Sequence, residues 1–194
     1  MTYNLILLAV LLGVFALLFR EGLWANTIAL VNVTIAGLVA TSYFEPLAAL
    51  LSGMVGWIHI YSDLLSMALI FAAVYATLRF VAARLSQYRV RFHPIFDNAG
   101  SVVMALLTGW VTVCVFSFAM HLAPLSRVYL FSSFDPEQRS FFNLAPDRLW
   151  LGFAQSQSMG PLAAGREFDP KAEYLLKYSS RRAWFETQDS MFPD

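Results

Sequence analysis

Two ionisable residues, His59 and Asp63, lie four positions apart in an apolar stretch of the sequence. On a helix, this spacing places both side chains on one face, one turn apart, where an imidazole and a carboxylate could line an ion pathway. Asp63 also stands at the start of the next apolar run, and aspartate is a favoured helix N-cap. Both a functional and a purely structural role therefore remain open for this pair.

The other chemically active residue types do not form a recognisable catalytic set. Arg79 lies close to the end of an apolar run, from which its long side chain can reach lipid headgroups, and His121 has a similar position in the last run. The three histidines and the single cysteine do not show metal-ligand spacing. Because nucleophile motifs and phosphate loops are also missing, the sequence predicts a protein that is not an enzyme and has no cofactor or metal site.

The composition indicates a membrane protein. Hydrophobic residues make up 58% of the chain and charged residues 13%, which is more apolar than an ordinary soluble domain. Residues 1–125 contain nearly all of the long apolar runs, whereas residues 126–194 contain most of the charges. We therefore predict a membrane domain over 1–125, embedded in a lipid bilayer, and an extramembrane tail over 126–194.

The apolar runs set the number of predicted membrane spans. A helix needs roughly 20 residues to cross a hydrocarbon core of about 30 Å. The predicted spans cover about residues 4–19, 24–44, 64–85 and 101–123. Between the first two, Arg20 and Glu21 suit the headgroup region and Gly22 permits a tight turn. The expected fold is an all-α polytopic membrane protein with four transmembrane helices.

A shorter apolar segment, about residues 46–61, separates the second and third spans. Small or polar residues recur along it at spacings of three and four: Ser52, Gly56, His59 and Asp63. Glu45 and Pro46 supply a start for a separate helix with this polar stripe along one face. We predict a short interfacial or re-entrant helix, and a fifth crossing is the alternative.

Small residues also follow a helical spacing within the spans. The candidate helix-packing positions are Ser101, Ala105 and Gly109 in the fourth span, and Ala9, Gly13 and Ala16 in the first. Faces with so little side-chain bulk allow two membrane helices to approach closely. Asp97 precedes the fourth predicted span and is expected to contact the free amides at its start.

The tail is expected to be partly helical and partly irregular. Helices are predicted at about 146–157 and 170–187, each beginning near a proline. Their aromatic residues form a candidate partner-docking surface: Trp150, Phe153, Tyr174, Tyr178 and Trp184. The alternative is that these side chains pack on the membrane domain or lie on lipid headgroups. A net charge of zero argues against binding to nucleic acid.

Basic residues predict the orientation in the membrane. Arginines 79, 84, 89 and 91 and Arg20 lie on one side of the four predicted spans, whereas the N-terminus and residues 44–62 contain no lysine or arginine. Basic residues are retained on the cytoplasmic side. Both termini are therefore expected in the periplasm if the membrane is a bacterial inner membrane.

These features resemble the colicin V production protein (CvpA) family of bacterial inner-membrane proteins over about residues 3–123. That family shows Arg-Gly after its first span, where this chain has Arg20-Glu21-Gly22. It also shows an aspartate followed by glycines at fourfold spacing. Here Asp97 and Gly109 are kept, whereas Ser101 and Ala105 replace glycines and Thr108 replaces an arginine.

The resemblance implies a multi-pass protein linked to toxin production or export and to envelope physiology, without an established catalytic activity. The expected role is a scaffold or assembly partner of other envelope or secretion proteins, with a homo-oligomer as one possible form. The alternative is a subunit of an oligomeric channel or transporter. Its pore would use His59, Asp63 and the heptad-spaced Thr27, Thr34 and Thr41.

Overall fold

The computed structural model describes residues 2–54, 61–85, 93–123, 141–159, 168–169, 173–174 and 176–180. These residues form an all-α structure, as the sequence predicts. Its helices are α1 (Thr2–Leu18), α2 (Leu23–Met54), α3 (Ser62–Leu85), α4 (Pro94–Leu122) and α5 (Pro146–Met159). Residues 176–180 are also helical.

Three of these helices, α2, α3 and α4, are long and apolar enough to cross a membrane. Helix α1 is equally apolar but has 17 residues, which extend over about 26 Å at the usual helical rise. This length falls slightly short of a hydrocarbon core of about 30 Å. The chain is therefore a membrane protein with three candidate spans, and the crossing by α1 stays a prediction.

Helix α4 lies at the centre of the bundle and contacts the other four helices. Helix α1 runs antiparallel to it. At one end, the Tyr3 hydroxyl lies 2.9 Å from the Ser117 hydroxyl, and at the other end Ser101 donates a hydrogen bond of 3.1 Å to the Phe19 carbonyl. These contacts hold α1 against α4 along its whole length.

Helices α2 and α3 form the second half of the bundle. Helix α2 runs parallel to α4, since Leu23 at its start lies beside Asp97 and Phe44 packs 6.1 Å from Phe118. Helix α3 packs mainly on α2. Only 11% of the most apolar stretch of α3 is buried, compared with 44% for α4. The outer face of α3 is therefore available to lipid.

The predicted turn between α1 and α2 is present. The Glu21 amide donates to the Leu18 carbonyl at 2.9 Å, and α2 begins at Leu23. Gly22 has a φ of +87°, a conformation that strains any residue with a β-carbon. The glycine between the first two apolar runs thus fixes where the chain reverses.

The structure differs from the sequence prediction at Pro46. Instead of ending before a separate short helix, α2 continues through Pro46 to Met54. Proline within a helix removes one backbone hydrogen bond and costs about 3 kcal/mol. Phe44 and Ala48 are buried on either side of it, so their packing offsets that cost. The rest of the predicted interfacial segment, residues 55–60, lies outside the described residues.

Candidate functional site

Asp97 links the start of α4 to the start of α2. Proline at the first position of α4 starts this helix at Pro94, so Asp97 lies in its first turn rather than ahead of it. Its carboxylate accepts a hydrogen bond of 3.0 Å from the Leu23 amide. The expectation that Asp97 contacts the free amides of its own helix is therefore corrected: it caps the first amide of another helix, where a negative charge is favourable.

Asn26, in the first turn of α2, forms a second polar contact between these helices and is fully buried. Its side-chain amide nitrogen donates to the Leu18 carbonyl at 2.9 Å and the Ser101 carbonyl at 3.0 Å, and it lies 2.9 Å from the Ser101 hydroxyl. Because Ser101 donates in turn to Phe19, one polar cluster joins α1, α2 and α4. We call Asn26, Asp97 and Ser101 the interhelical junction. Interhelical bonds of this kind contribute about 0.6–2 kcal/mol each in lipid.

The small face of α4 is buried, with Ser101, Ala105 and Gly109 all inaccessible or nearly so. A β-carbon added to Gly109 would lie 3.0 Å from Leu11 Cδ1 and 3.2 Å from the Leu11 carbonyl oxygen. Side chains of α1 therefore occupy the space that the small residues of α4 leave open. This is the close approach that small residues permit in membrane helices.

The small face of α1, in contrast, does not pack against α4. Ala9, Gly13 and Ala16 are exposed, and a β-carbon on Gly13 would meet nothing within 4 Å. Helix α1 instead turns its large residues, including Tyr3 and Leu7, towards α4. The structure therefore does not bring the two predicted small faces together.

The predicted polar stripe is only partly covered by the described residues. Ser52 is half-buried and donates to the Ala49 carbonyl of its own helix at 3.0 Å. Asp63 is buried in the first turn of α3. Gly56 and His59 lie outside the described residues, so the stripe as a whole stays a prediction.

The tail folds back onto the membrane domain through Trp150 of α5. Its indole N–H donates a hydrogen bond of 2.9 Å to the Thr41 hydroxyl, and both side chains are buried. The indole covers Gly37 so closely that an added β-carbon there would lie 2.7 Å from Trp150 Cζ2. Helix α5 therefore fits a notch in α2 that only glycine leaves open.

A second tail contact lies at Glu45, in the last third of α2. One Glu45 carboxylate oxygen accepts hydrogen bonds from Lys177 at 2.6 Å and from the Tyr178 hydroxyl at 3.1 Å. The Tyr178 ring packs 6.2 Å from Phe44. Burial, together with the nearby charge of Glu45, raises the pKa of Tyr178 well above its usual value, so its hydroxyl remains a hydrogen-bond donor.

An ion pair joins α5 to the end of α4. Asp147 lies 3.2 Å from the His121 imidazole, and both side chains are almost covered. Burial alone raises the pKa of Asp147, but its hydrogen bond and electrostatic interaction with His121, together with backbone hydrogen bonds, outweigh burial and hold this pKa below its ordinary value. Asp147 is therefore held ionised against α4.

These contacts cover part of the predicted docking surface within the chain itself. Trp150 and Tyr178 are buried and Tyr174 is half-buried within the chain itself, because packing on α2 and α4 removes their apolar area from water. Phe153 remains 38% exposed, and Trp184 lies outside the described residues. Packing on the membrane domain, the alternative considered from the sequence, accounts for these three aromatic residues.

Sequence reasoning missed the role of Asn26. The available signal was a polar residue in the first turn of an apolar run. Exposing its side-chain amide to lipid would be costly, so the side chain is expected to point towards the other helices. Its partners lie eight positions away at Leu18 and 75 positions away at Ser101. No local pattern identifies a partner at the second distance.

Comparison with known proteins gives one family. A model described as "Colicin V production protein" matches residues 3–139, which is more than half of the chain. The match includes α1 to α4, and with them the whole interhelical junction. No curated protein and no solved structure matches the chain.

Proposed function

The chain belongs to the colicin V production protein family, and we propose that it is a non-catalytic membrane scaffold that supports the production or export of a colicin V-type toxin. In this role it assembles with other envelope or secretion proteins, or with further copies of itself, and contributes to envelope physiology. The family membership supports the link to toxin production.

The interhelical junction is the observation that carries the scaffold role. Asn26, Asp97 and Ser101 use their polar groups to hold three helices together. Apolar surface gives little driving force for helix association in lipid, so polar contacts and close packing supply it. Polar side chains engaged in this way hold the helices in a fixed arrangement, as a scaffold requires.

The arrangement of the threonines in α2 favours a scaffold over a channel. Thr27, Thr34 and Thr41 each donate to a backbone carbonyl of their own helix at 2.8 Å. Thr41 is also covered by Trp150. Because Trp150 covers Thr41, the three threonines do not line one continuous pathway for an ion.

Toxin release tests the proposed role directly. In a strain that secretes a colicin V-type toxin, deletion of this protein should lower the toxin activity of the medium, and the wild-type chain should restore it. Asn26→Leu should restore it poorly, because the variant breaks the interhelical junction. Asn98→Leu, an equal change at an exposed position of α4, should restore it fully. Normal toxin release without the protein would reject the proposal.

The proposed location is the bacterial inner membrane with both termini in the periplasm. Four crossings are proposed, with α1 as the first, so that Met1 and Asp194 share a side. Alkaline phosphatase fused after Asp194 should then be active, and green fluorescent protein fused there should be dark. The support is the arginine distribution, since basic residues are retained on the cytoplasmic side. A fluorescent fusion with inactive phosphatase would overturn this orientation.

A further inference from the structure

A cleft of about 700 Å³ lies between α1 and α3, with α2 and α4 behind it. Much of its wall is apolar, including Leu17, Ile28 and Phe71. Its volume falls within the range of about 300–1,000 Å³ that is typical of small-molecule sites. A long apolar chain suits such a wall.

Two opposite charges line the same cleft, Glu21 and Arg79. Among the described residues, neither has an oppositely charged group within 4.0 Å, and the Arg79 guanidinium lies 3.5 Å from the Tyr75 hydroxyl. Arg79 precedes the end of α3 at Leu85 by about 9 Å along the helix, and from there its long side chain can reach the lipid headgroups. A ligand that carries both signs of charge at this depth would complement the pair.

We propose that this cleft binds one phospholipid whose headgroup combines a phosphate with a primary ammonium, as in phosphatidylethanolamine. The phosphate binds Arg79, which offers several N–H donors, and the ammonium binds Glu21. One acyl chain follows the apolar wall. The proposal goes beyond the scaffold role and does not depend on it.

The cleft wall also contains a polar acceptor. Asn26 is one of the lining residues, and its side-chain oxygen has no hydrogen-bond partner among the described residues. A buried acceptor is costly when it stays unpaired. Because Asn26 is itself fully covered, its oxygen does not reach the ligand, and the charges of Glu21 and Arg79 determine which headgroup the cleft accepts.

Native mass spectrometry of the full chain in detergent tests the headgroup. With phosphatidylethanolamine and phosphatidylglycerol of identical acyl chains in equal amounts, the wild type should retain phosphatidylethanolamine preferentially. Arg79→Gln should lower lipid retention about tenfold, because a charge-assisted bond to the phosphate is lost. Glu21→Gln should abolish the preference between the two lipids.

Arg84→Gln is the matched control, because Arg84 stacks on the Phe80 ring at 5.1 Å and does not line the cleft. Its lipid retention should equal that of the wild type. Equal retention of both lipids by the wild type, or equal effects of Arg79→Gln and Arg84→Gln, would overturn the proposal.

A second pair of variants distinguishes a lipid from a helix of another copy. Ala83 lines the cleft on α3, whereas Ala76 is exposed on the same helix and does not. Ala83→Phe should reduce phosphatidylethanolamine retention several-fold without changing the oligomeric mass, and Ala76→Phe should change neither. A changed oligomeric mass with unchanged lipid retention in Ala83→Phe would assign the cleft to a second copy and reject lipid binding.

Discussion

Replacing Gly37 with leucine should displace α5 from α2 and lower the free energy of unfolding by about 3 kcal/mol. The first added carbon would lie 2.7 Å from Trp150 Cζ2 and 2.8 Å from Val115 Cγ2, and both side chains belong to the main core cluster. Overpacking of this kind typically costs about 1–3 kcal/mol. Displacing the indole also breaks its bond to Thr41, which adds to the loss.

Thermal unfolding in detergent and limited trypsin digestion measure this effect. We expect a lower midpoint and faster cleavage at Arg148, which lies in α5. Gly53→Leu is the matched control in the same helix, since a β-carbon there would meet nothing within 4 Å. If Gly37→Leu and Gly53→Leu have the same thermal midpoint and the same cleavage rate, α5 does not pack on α2 at Gly37.

The packing of α5 on α2 shows what an amphipathic pattern can and cannot predict. The sequence places a helix near residues 146–157 with Trp150 on its apolar face, and the observed helix is Pro146–Met159. The pattern shows that this face requires a covering surface. It does not show that the surface is Gly37 and Thr41, because that information lies in a different helix more than a hundred positions away.

Some ends of the helices can likewise be predicted from the local sequence, and others cannot. The turn at Gly22 is predictable because a local steric rule for glycine determines it. The continuation of α2 through Pro46 is not, since the local rule favours a break. The burial of Phe44 and Ala48 decides the outcome, and burial depends on packing that the local sequence does not contain.

The contact between α1 and the small face of α4 could be only partly predicted from the sequence. The fourfold spacing of Ser101, Ala105 and Gly109 identifies a face of α4 suited to close packing. It does not identify the partner, and the small residues of α1 follow a similar spacing without contacting this face. The structure places large side chains of α1 there instead, so that the space left by the small residues of α4 is filled.

Gly109→Leu should therefore separate α1 from α4, with a loss of about 3 kcal/mol in the free energy of unfolding. At Gly109 the nearest atoms to an added carbon include the Leu11 carbonyl oxygen at 3.2 Å, and a backbone atom cannot rotate away as a side chain can. The whole of α1 must shift to admit the new side chain. Ala105→Leu, at a fully buried position one turn earlier, should act in the same direction.

Gly13→Leu provides the contrast, because it adds the same side chain to a membrane helix at a site with open space around it. Its thermal midpoint in detergent should stay close to that of the wild type, whereas the midpoints of Gly109→Leu and Ala105→Leu should fall by several degrees. A short bifunctional reagent should crosslink cysteines placed at Tyr3 and Ser117, in a background without Cys114, in Gly13→Leu but not in Gly109→Leu. If Gly109→Leu keeps both the midpoint and the crosslink, the close contact between Leu11 of α1 and Gly109 of α4 is wrong.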